Sequence, residues 1–477
     1  MRRTALVGSF LLLSGLLASA ATASGASPAA RSIPMDRAVR TATGDVSVLI
    51  HTRAGHLADG VAAARRSGLA VGSVYESIEV FVAFGPASVI RDIAGSGHLS
   101  SVESNHALSY FTETSHQATR GQRVLDEQVT LPGGTRIDGT GIGIAIVDSG
   151  LDGTHPDLAD HVGGNVKTVC SAPQFVATGQ TGFTTCLGPK AYVPVQDSDT
   201  ISAGGHGTHV GGIVAGDGSA SAGSFHGAAP EATLYGVSVG TTMTVENGLD
   251  GLEWVLDNHG LVTPEIKVVN NSWGGGHAEY DPQNDPFSSA LWKLQEDLVR
   301  DGVTVVFAAG NAGGNGSNPT TSAECVNPTP GVICVANYDD KNTGTRGGTI
   351  SSTSSRGKKG LPESYPDISA PGTNIISTCR ATLPICWGGG GRAPSDNLYA
   401  NMSGTSMAAP HITGIIAQMY QVDPTLTPAR VENVLEDSAW KSFGTGPYEA
   451  DPFNADNTTS FDRGHGLVDA LAAVQAL

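Results

Sequence analysis

Positive charge is scarce in this chain of 477 residues. Lys and Arg number 27 against 45 Asp and Glu, a formal net charge of −18. That balance argues against nucleic acid or an anionic membrane as the main partner, since both are bound through clustered cations. Long apolar runs are also missing. The stretch Ala5 to Leu17 is shorter than the roughly 20 residues that a membrane-spanning helix needs, and no other run qualifies. Cysteines number only six, with no CxxC pair and no Cys/His group at zinc spacing, which argues against a zinc site. Charged residues make up 15% of the chain, whereas glycines number 63 and hydrophobic residues make up 39%. Such a composition builds tight turns around a sizeable core rather than a disordered polymer. The length calls for two or more folded units.

The first residues read as a secretory signal, residues 1–23. Arg2 and Arg3 form a basic start and Ala5 to Leu17 an apolar core. Ala18-Ser19-Ala20 and Ala21-Thr22-Ala23 offer small-residue cleavage sites. The protein is therefore expected to be exported to the extracellular space, where disulfides form. Six cysteines allow 15 pairings. They fall as near neighbours, and sequential pairing (Cys170–Cys186, Cys325–Cys334, Cys379–Cys386) closes three short loops.

Residues 24–43 are Ala/Ser/Thr-rich and read as a linker. From Asp45 the pattern alternates between strand and helix. Strands are predicted at Val46–Ile50 and Ile78–Phe84, helices at Leu57–Ser67 and Pro86–Ala94, and a last strand within Leu99–Tyr110. This is a small α+β unit, residues 44–111, of a size that folds alone only marginally. A polar linker, 112–136, follows it. The remainder, 137–477, alternates Val/Ile/Ala-rich strands with helices. Strands are predicted at Gly141–Val147, Ala232–Val239, Ile266–Val269, Val303–Ala309 and Val332–Ala336. Helices are predicted at His206–Ala215, Glu246–His259, Phe287–Val299 and Ile412–Tyr420. The fold class is α/β, a doubly wound and mostly parallel sheet covered on both faces. Ligand sites in such folds lie beyond the carboxyl ends of the strands, and Asp148, Asn270 to Trp273 and Asn311 all fall there.

Four residues stand out chemically. Asp148 ends an apolar strand at a Ser-Gly turn, which reads as an Asx turn or as a delivered carboxylate. His206 opens a small-residue helix in Gly205-His206-Gly207-Thr208-His209. Asn311 follows Ala308-Ala309-Gly310 and reads as a turn residue or as an amide donor. Ser406, ahead of the Ile412–Tyr420 run, reads as a helix cap or as a nucleophile. Together an Asp, a His and a Ser are the groups that activated-nucleophile catalysis needs, with a side-chain amide for the oxyanion.

The segments Asp148-Ser149-Gly150, His206-Gly207-Thr208-His209-Val210 and Gly404-Thr405-Ser406-Met407-Ala408-Ala409-Pro410 resemble the three signature motifs of the subtilisin-like serine proteases, in that family's order. The resemblance runs from about Gly139 to the end and includes Gly464-His465-Gly466-Leu467. It implies Ser406 as nucleophile, His206 as general base and then acid, Asp148 as its orienting carboxylate and Asn311 as oxyanion donor. His209 and His411 would be structural. Ser272-Trp273-Gly274 resembles the segment that pairs with extended substrate, with the Trp273 side chain expected to form part of the binding wall. Family pockets of this kind take large apolar P1 side chains, whereas Glu324-Cys325 falls where a small residue often lies at the pocket base, which leaves a basic P1 open.

The unit 44–111 resembles the family's inhibitor-type propeptide, with cleavage expected between Tyr110 and Gln122. No cofactor is implied for the chemistry. A structural calcium is implied at Asp157, although the facing loop, Asp217 to Ser224, lacks the usual asparagine. The expected partners are protein or peptide substrates and the chain's own propeptide, acting on a monomer. Two other readings stay open. One is an inactive member serving as a binding protein. The other is a processing protease with a single native target.

Overall fold

The computed structural model describes residues 33–105, 109–110, 118–126, 129–178, 181–199, 204–240, 243–275, 290–383, 385–386, 398–444 and 447–477. The segment read as an export signal lies outside the described residues. The first element, α1 (Arg37–Thr41), falls where a linker was expected. Its Val39 and the preceding Met35 are buried in the N-terminal core, and Met35 bridges Val102. Packing therefore begins ahead of position 43.

The N-terminal unit continues through β1 (Asp45–Thr52), α2 (Leu57–Arg66), β2 (Ala70–Tyr75), β3 (Val80–Pro86), α3 (Ala87–Ile93) and β4 (Leu99–Ser104). Its antiparallel sheet has the order β2–β3–β1–β4. The strand predicted from Ile78 starts at Val80 because Glu79 takes a left-handed conformation, φ 53°. The predicted last strand divides. After β4, residues of β5 (Ser109–Tyr110) leave this sheet and pair elsewhere.

The large domain opens with α4 (Gly121–Leu125), inside the expected linker, where Val124 is buried in the main core. Its sheet comprises β6 (Gly143–Asp148), β7 (Val162–Cys170), β10 (Lys190–Pro194), β11 (Thr233–Ser238), β12 (Ile266–Asn271), β14 (Thr304–Ala308), β15 (Val332–Asp339), β16 (Thr349–Ile350) and β17 (Ile368–Pro371). A hairpin, β8 (Pro173–Thr178) and β9 (Thr181–Cys186), projects between β7 and β10. The order is β10–β7–β11–β6–β12–β14–β15–β16, with β17 also on β15. All pairings from β7 to β15 are parallel, as is β15 with β17, and the edges β10 and β16 are antiparallel. From β6 the chain winds first to one side, through β7 and β11, and then to the other, through β12 and β14. That makes β6 the switch point, where α/β folds bind ligands.

The central strands are buried on both faces. Ile144 and Ile146 of β6 face one core and Ala145 and Val147 the other. The first core holds α5 (His206–Ala215) and α8 (Thr405–Val422), with residues of α9 (Pro428–Ser438) and α10 (Ala470–Gln475). The second holds α6 (Val245–Asn258) and α7 (Ala290–Arg300). In α6 the side chain of Thr244 caps the helix by accepting from Asn247 N at 3.1 Å, and Leu249, Leu252 and Val255 form its inner stripe. Helix α8 is buried from Thr405 to Tyr420, the pattern of a helix enclosed by its own domain. A hairpin of β18 (Ile375–Thr378) and β19 (Tyr399–Met402) leads into it. The disulfides join Cys170–Cys186, Cys325–Cys334 and Cys379–Cys386, the sequential pattern. No helix among the described residues is long and apolar enough to cross a membrane.

The N-terminal unit rests on α6 and α7. Leu49, Tyr75, Val80 and Val82 enter the second core. The Tyr75 hydroxyl donates to Asp250 at 2.9 Å. Two side chains satisfy backbone donors in the first turns of these helices, where the fold itself provides no acceptor. Asn105 accepts from Glu246 N at 3.2 Å, and Glu103 accepts from Ala290 N at 2.9 Å.

Near the C-terminus, Asp367, Glu432, Glu436, Asp451 and His465 draw α9, the start of β17 and the last loop together. In each of the sets Glu436–Asp451–His465 and Asp367–Glu432–Glu436, the polar atoms lie within 4.8 Å of one another. Burial, and then the charge of Glu436, push the Asp367 carboxyl up to about 8. Burial opposes the charge of His465, but the Asp451 hydrogen bond and Glu436 outweigh it and raise its pKa. The folded chain thus holds protons that the unfolded chain releases, on Asp367 above its ordinary 3.8 and on His465 above 6.5. Stability from these groups falls as pH rises from about 4 to about 8. Asp367→Asn should flatten the decline of Tm across that window, and an unchanged slope in the variant would count against this assignment.

Candidate active site

Four elements converge at the carboxyl ends of the central strands. Strand β6 ends at Asp148, which is fully buried. Its Oδ1 lies 2.7 Å from Nδ1 of His206, the first residue of α5, and also accepts from Ser149 N at 2.7 Å. The backbone makes room for this approach only with glycine. A Cβ on Gly207 would lie 2.0 Å from the carbonyl of Gly150.

Ser406 is the second residue of α8, after Gly404 as N-cap and Thr405. It is therefore not the cap, and its hydroxyl donates to the Ser272 carbonyl at 3.0 Å. Pro410 sits four residues on and has no N–H for the Ser406 carbonyl, which would otherwise be its helical acceptor. Ser272 supplies the missing donor, its hydroxyl reaching that carbonyl at 2.9 Å. Behind it Asn270 Nδ2 donates to Ser272 Oγ at 2.9 Å, and Thr413 donates to Asn270 Oδ1 at 3.0 Å. The strand end and the helix start are thus tied reciprocally.

Asn311 follows β14. Its Oδ1 accepts from Thr405 N at 3.0 Å and from the Thr405 hydroxyl at 3.2 Å. With the oxygen held, the amide nitrogen Nδ2 is buried and has no hydrogen-bond partner among the described residues. A buried donor left unsatisfied costs roughly 1–3 kcal/mol, the kind of expense that functional sites carry. Facing the turn of Ser406, such a donor can meet charge on a substrate oxygen.

Trp273 differs from expectation. Its indole is fully buried, donates to the Val147 carbonyl at 2.8 Å and meets Phe307 edge-on at 5.0 Å between centroids. The side chain is a core residue rather than a binding wall, because the alternation of the strand turns position 273 inward. The backbone is what remains available. Trp273 and Gly274 form β13, which pairs antiparallel with β5, Trp273 opposite Tyr110 and Gly274 opposite Ser109. Glu324 is buried and its carboxylate accepts from Gly275 N at 3.0 Å, so it braces the end of this strand.

His209 and His411 are buried, and burial lowers them to about 3 and about 4. His209 Nε2 lies 3.1 Å from the Ala400 carbonyl and His411 Nδ1 2.8 Å from that of Met407. Neutral and tied to backbone, both hold structure. The Asp157 carboxylate does not fit a cation. It accepts from Ala220 N at 2.8 Å, Ser219 Oγ at 3.3 Å and Tyr399 Oη at 2.6 Å. Donors face it where a calcium site needs oxygen lone pairs. Two contributions escaped sequence reasoning. The orientation of Asn311 by Thr405 has no local signal, whereas the proline four residues after Ser406 could have announced an orphaned carbonyl.

A serine hydroxyl at a buried helix start, an Asp–His pair and an unpartnered amide on one rim of a parallel sheet define a serine hydrolase of the α/β type. Residues 139–466 match the subtilase family (peptidase S8). Serine protease AprX of Bacillus subtilis (strain 168) is 31% identical over 377 residues, covering 74% of this chain and 73% of that protein. Subtilisin E of the same organism is 29% identical over 340 residues, covering 71% of this chain and 66% of that one. The crystal structure of fervidolysin from Fervidobacterium pennivorans, described as a keratinolytic enzyme related to subtilisin, aligns with a TM-score of 0.64. It shares 21% sequence identity and is matched over 93% of this chain and 63% of its own, a likeness of fold that takes in the N-terminal unit. The chain belongs to the subtilase family, and it is a serine endopeptidase.

The reading of Asp157 is testable by stability. Asp157→Asn should lower Tm by the same amount with and without added calcium, at a cost of about 1–3 kcal/mol. A loss that calcium changes, or that calcium binding accounts for, would restore a metal role.

Proposed function

We propose that the chain is a secreted endopeptidase made as a preproprotein and matured by its own active site. Ser406 attacks the peptide carbonyl, His206 takes its proton and returns it to the leaving amine, and Asp148 orients the imidazole. Asn311 Nδ2 and the Ser406 backbone N–H hold the oxyanion of the tetrahedral intermediate. The resting Ser406 hydroxyl, which donates to Ser272, turns toward His206 when substrate binds. The observation that carries this reading is the buried Asp148–His206 contact of 2.7 Å. Subtilases need no cofactor for the chemistry, and the enzyme is taken to act as a monomer on proteins or peptides.

The unit 44–111 acts in this reading as the propeptide, a folding template and temporary inhibitor. The supporting observations are its marginal size, its caps on α6 and α7, and the lie of β5 along β13. Protein substrates would lie along β13 as β5 does, in extended form, through Ser272, Trp273 and Gly274. The processing bond then falls in the segment between 110 and 122.

A fluorophosphonate should label the mature enzyme, and Ser406→Ala should abolish labelling while leaving the N-terminal unit attached. Absence of labelling of the mature wild type would sink the reading of Ser406 as an activated nucleophile and favour an inactive member of the family. Normal-length mature protein from Ser406→Ala, with no other protease present, would refute self-processing. Asn311→Ala should lower kcat by roughly 10²–10³-fold with little change in KM, measured on a peptide library that also reads P1 preference and separates a broad protease from one with a single target.

A further inference from the structure

Asp199 is a carboxylate that none of these steps uses, yet it is fully buried beside the two turns that carry the Asp–His pair. Its Oδ1 accepts from the Ser149 hydroxyl at 3.0 Å. Its Oδ2 accepts from Thr208 N at 3.1 Å and from the Thr208 hydroxyl. Ser149 is the residue after Asp148, and its N–H already donates to Asp148 Oδ1 at 2.7 Å. Thr208 lies two residues after His206, in the first turn of α5. The two turns also bond to one another. Gly207 N donates to Ser149 Oγ at 3.0 Å, and Asp152 N donates to Thr208 Oγ1 at 3.0 Å.

Asp199 therefore sits as one acceptor between a donor from the turn of Asp148 and two donors from the turn of His206. Burial pushes its carboxyl up to about 6, against the hydrogen bonds that favour the charged form. A buried carboxylate is costly to maintain, and here what it organises is the approach of the Asp148 strand end to α5.

We propose that Asp199 is a positioning residue of the active site, a clamp that fixes the distance and angle between Asp148 and His206 through Ser149 and Thr208. The proposal rests on the reading of those two as the catalytic pair. An acceptor-only group is required, because every atom facing Asp199 in these contacts donates. An asparagine of the same shape presents N–H to one of those donors and opens one side of the clamp.

The test compares Asp199→Asn and Ser149→Ala with wild-type mature enzyme. Asp199→Asn should lower kcat on the order of 10²-fold, the cost of a misplacement of about 1 Å, with KM within twofold and an unchanged far-UV circular dichroism spectrum. Ser149→Ala, which removes the hydroxyl that donates to Asp199 and accepts from Gly207 N but keeps both Thr208 contacts with Asp199, should lower kcat by a smaller factor with KM again unchanged. Should Asp199→Asn fail to fold, Ser149→Ala decides alone. Values of kcat within twofold of wild type in the folded variants overturn the proposal, as does a loss that only tracks the unfolded fraction. The underlying reading is tested separately. Asp148→Ala that retained wild-type kcat would sink the catalytic pair whatever Asp199 does.

Discussion

A helix that opens on the rim of a sheet must be anchored at its first turn, and in α8 the ordinary anchor is missing because Pro410 cannot donate to the Ser406 carbonyl. Ser272 fills the gap, with Asn270 and Thr413 lined up behind it. The same strand end receives the Ser406 hydroxyl. Thr405, one residue earlier, holds the Asn311 carboxamide by its oxygen. The position of Ser406, the start of β13 and the hold on the Asn311 carboxamide therefore descend from a single junction between β12 and α8. Breaking the junction would disturb all three at once.

Much of this architecture was legible in the sequence, for identifiable reasons. Central strands such as Ile144 to Val147 and Val305 to Ala308 are apolar on both faces and bounded by glycine or charge, so period and composition agree. The active-site motifs are local, and their order is preserved in the chain. What escaped was set by distant contacts. Strand β2 has the weak pattern of Ala70-Val71-Gly72-Ser73-Val74-Tyr75, and only pairing with β3 makes it a strand. Strand β5 was read as an extension of β4, since sequence cannot show that two residues change partner sheets. The Trp273 side chain lies in the core and not on a wall, which the sequence hides because a large aromatic at a strand end says nothing about which face it takes. Asp199 drew no notice in a polar loop, for its meaning lies entirely in its burial.

The N-terminal unit and the protease domain share more than a surface. Two helices of the larger domain have backbone donors satisfied from the smaller one, by Asn105 and Glu103. Apolar side chains of both merge in one core. Glu103 also lies 3.0 Å from His51, whose other ring nitrogen is 2.6 Å from Lys293 of α7. Each part thus completes the other, and a unit of marginal size gains from α6 and α7 the buried area it lacks alone.

The pairing of β5 with β13 joins two units of one chain, and that connection has a physical consequence. As long as one polypeptide runs through both units, the contact is intramolecular and operates at an effective concentration on the order of millimolar. A single cut after position 110 turns the same interface into a meeting of two separate molecules. Its strength is unchanged, but its occupancy then depends on how far the solution has been diluted. The covalent link between the two units is thus what holds β5 beside β13 at any dilution.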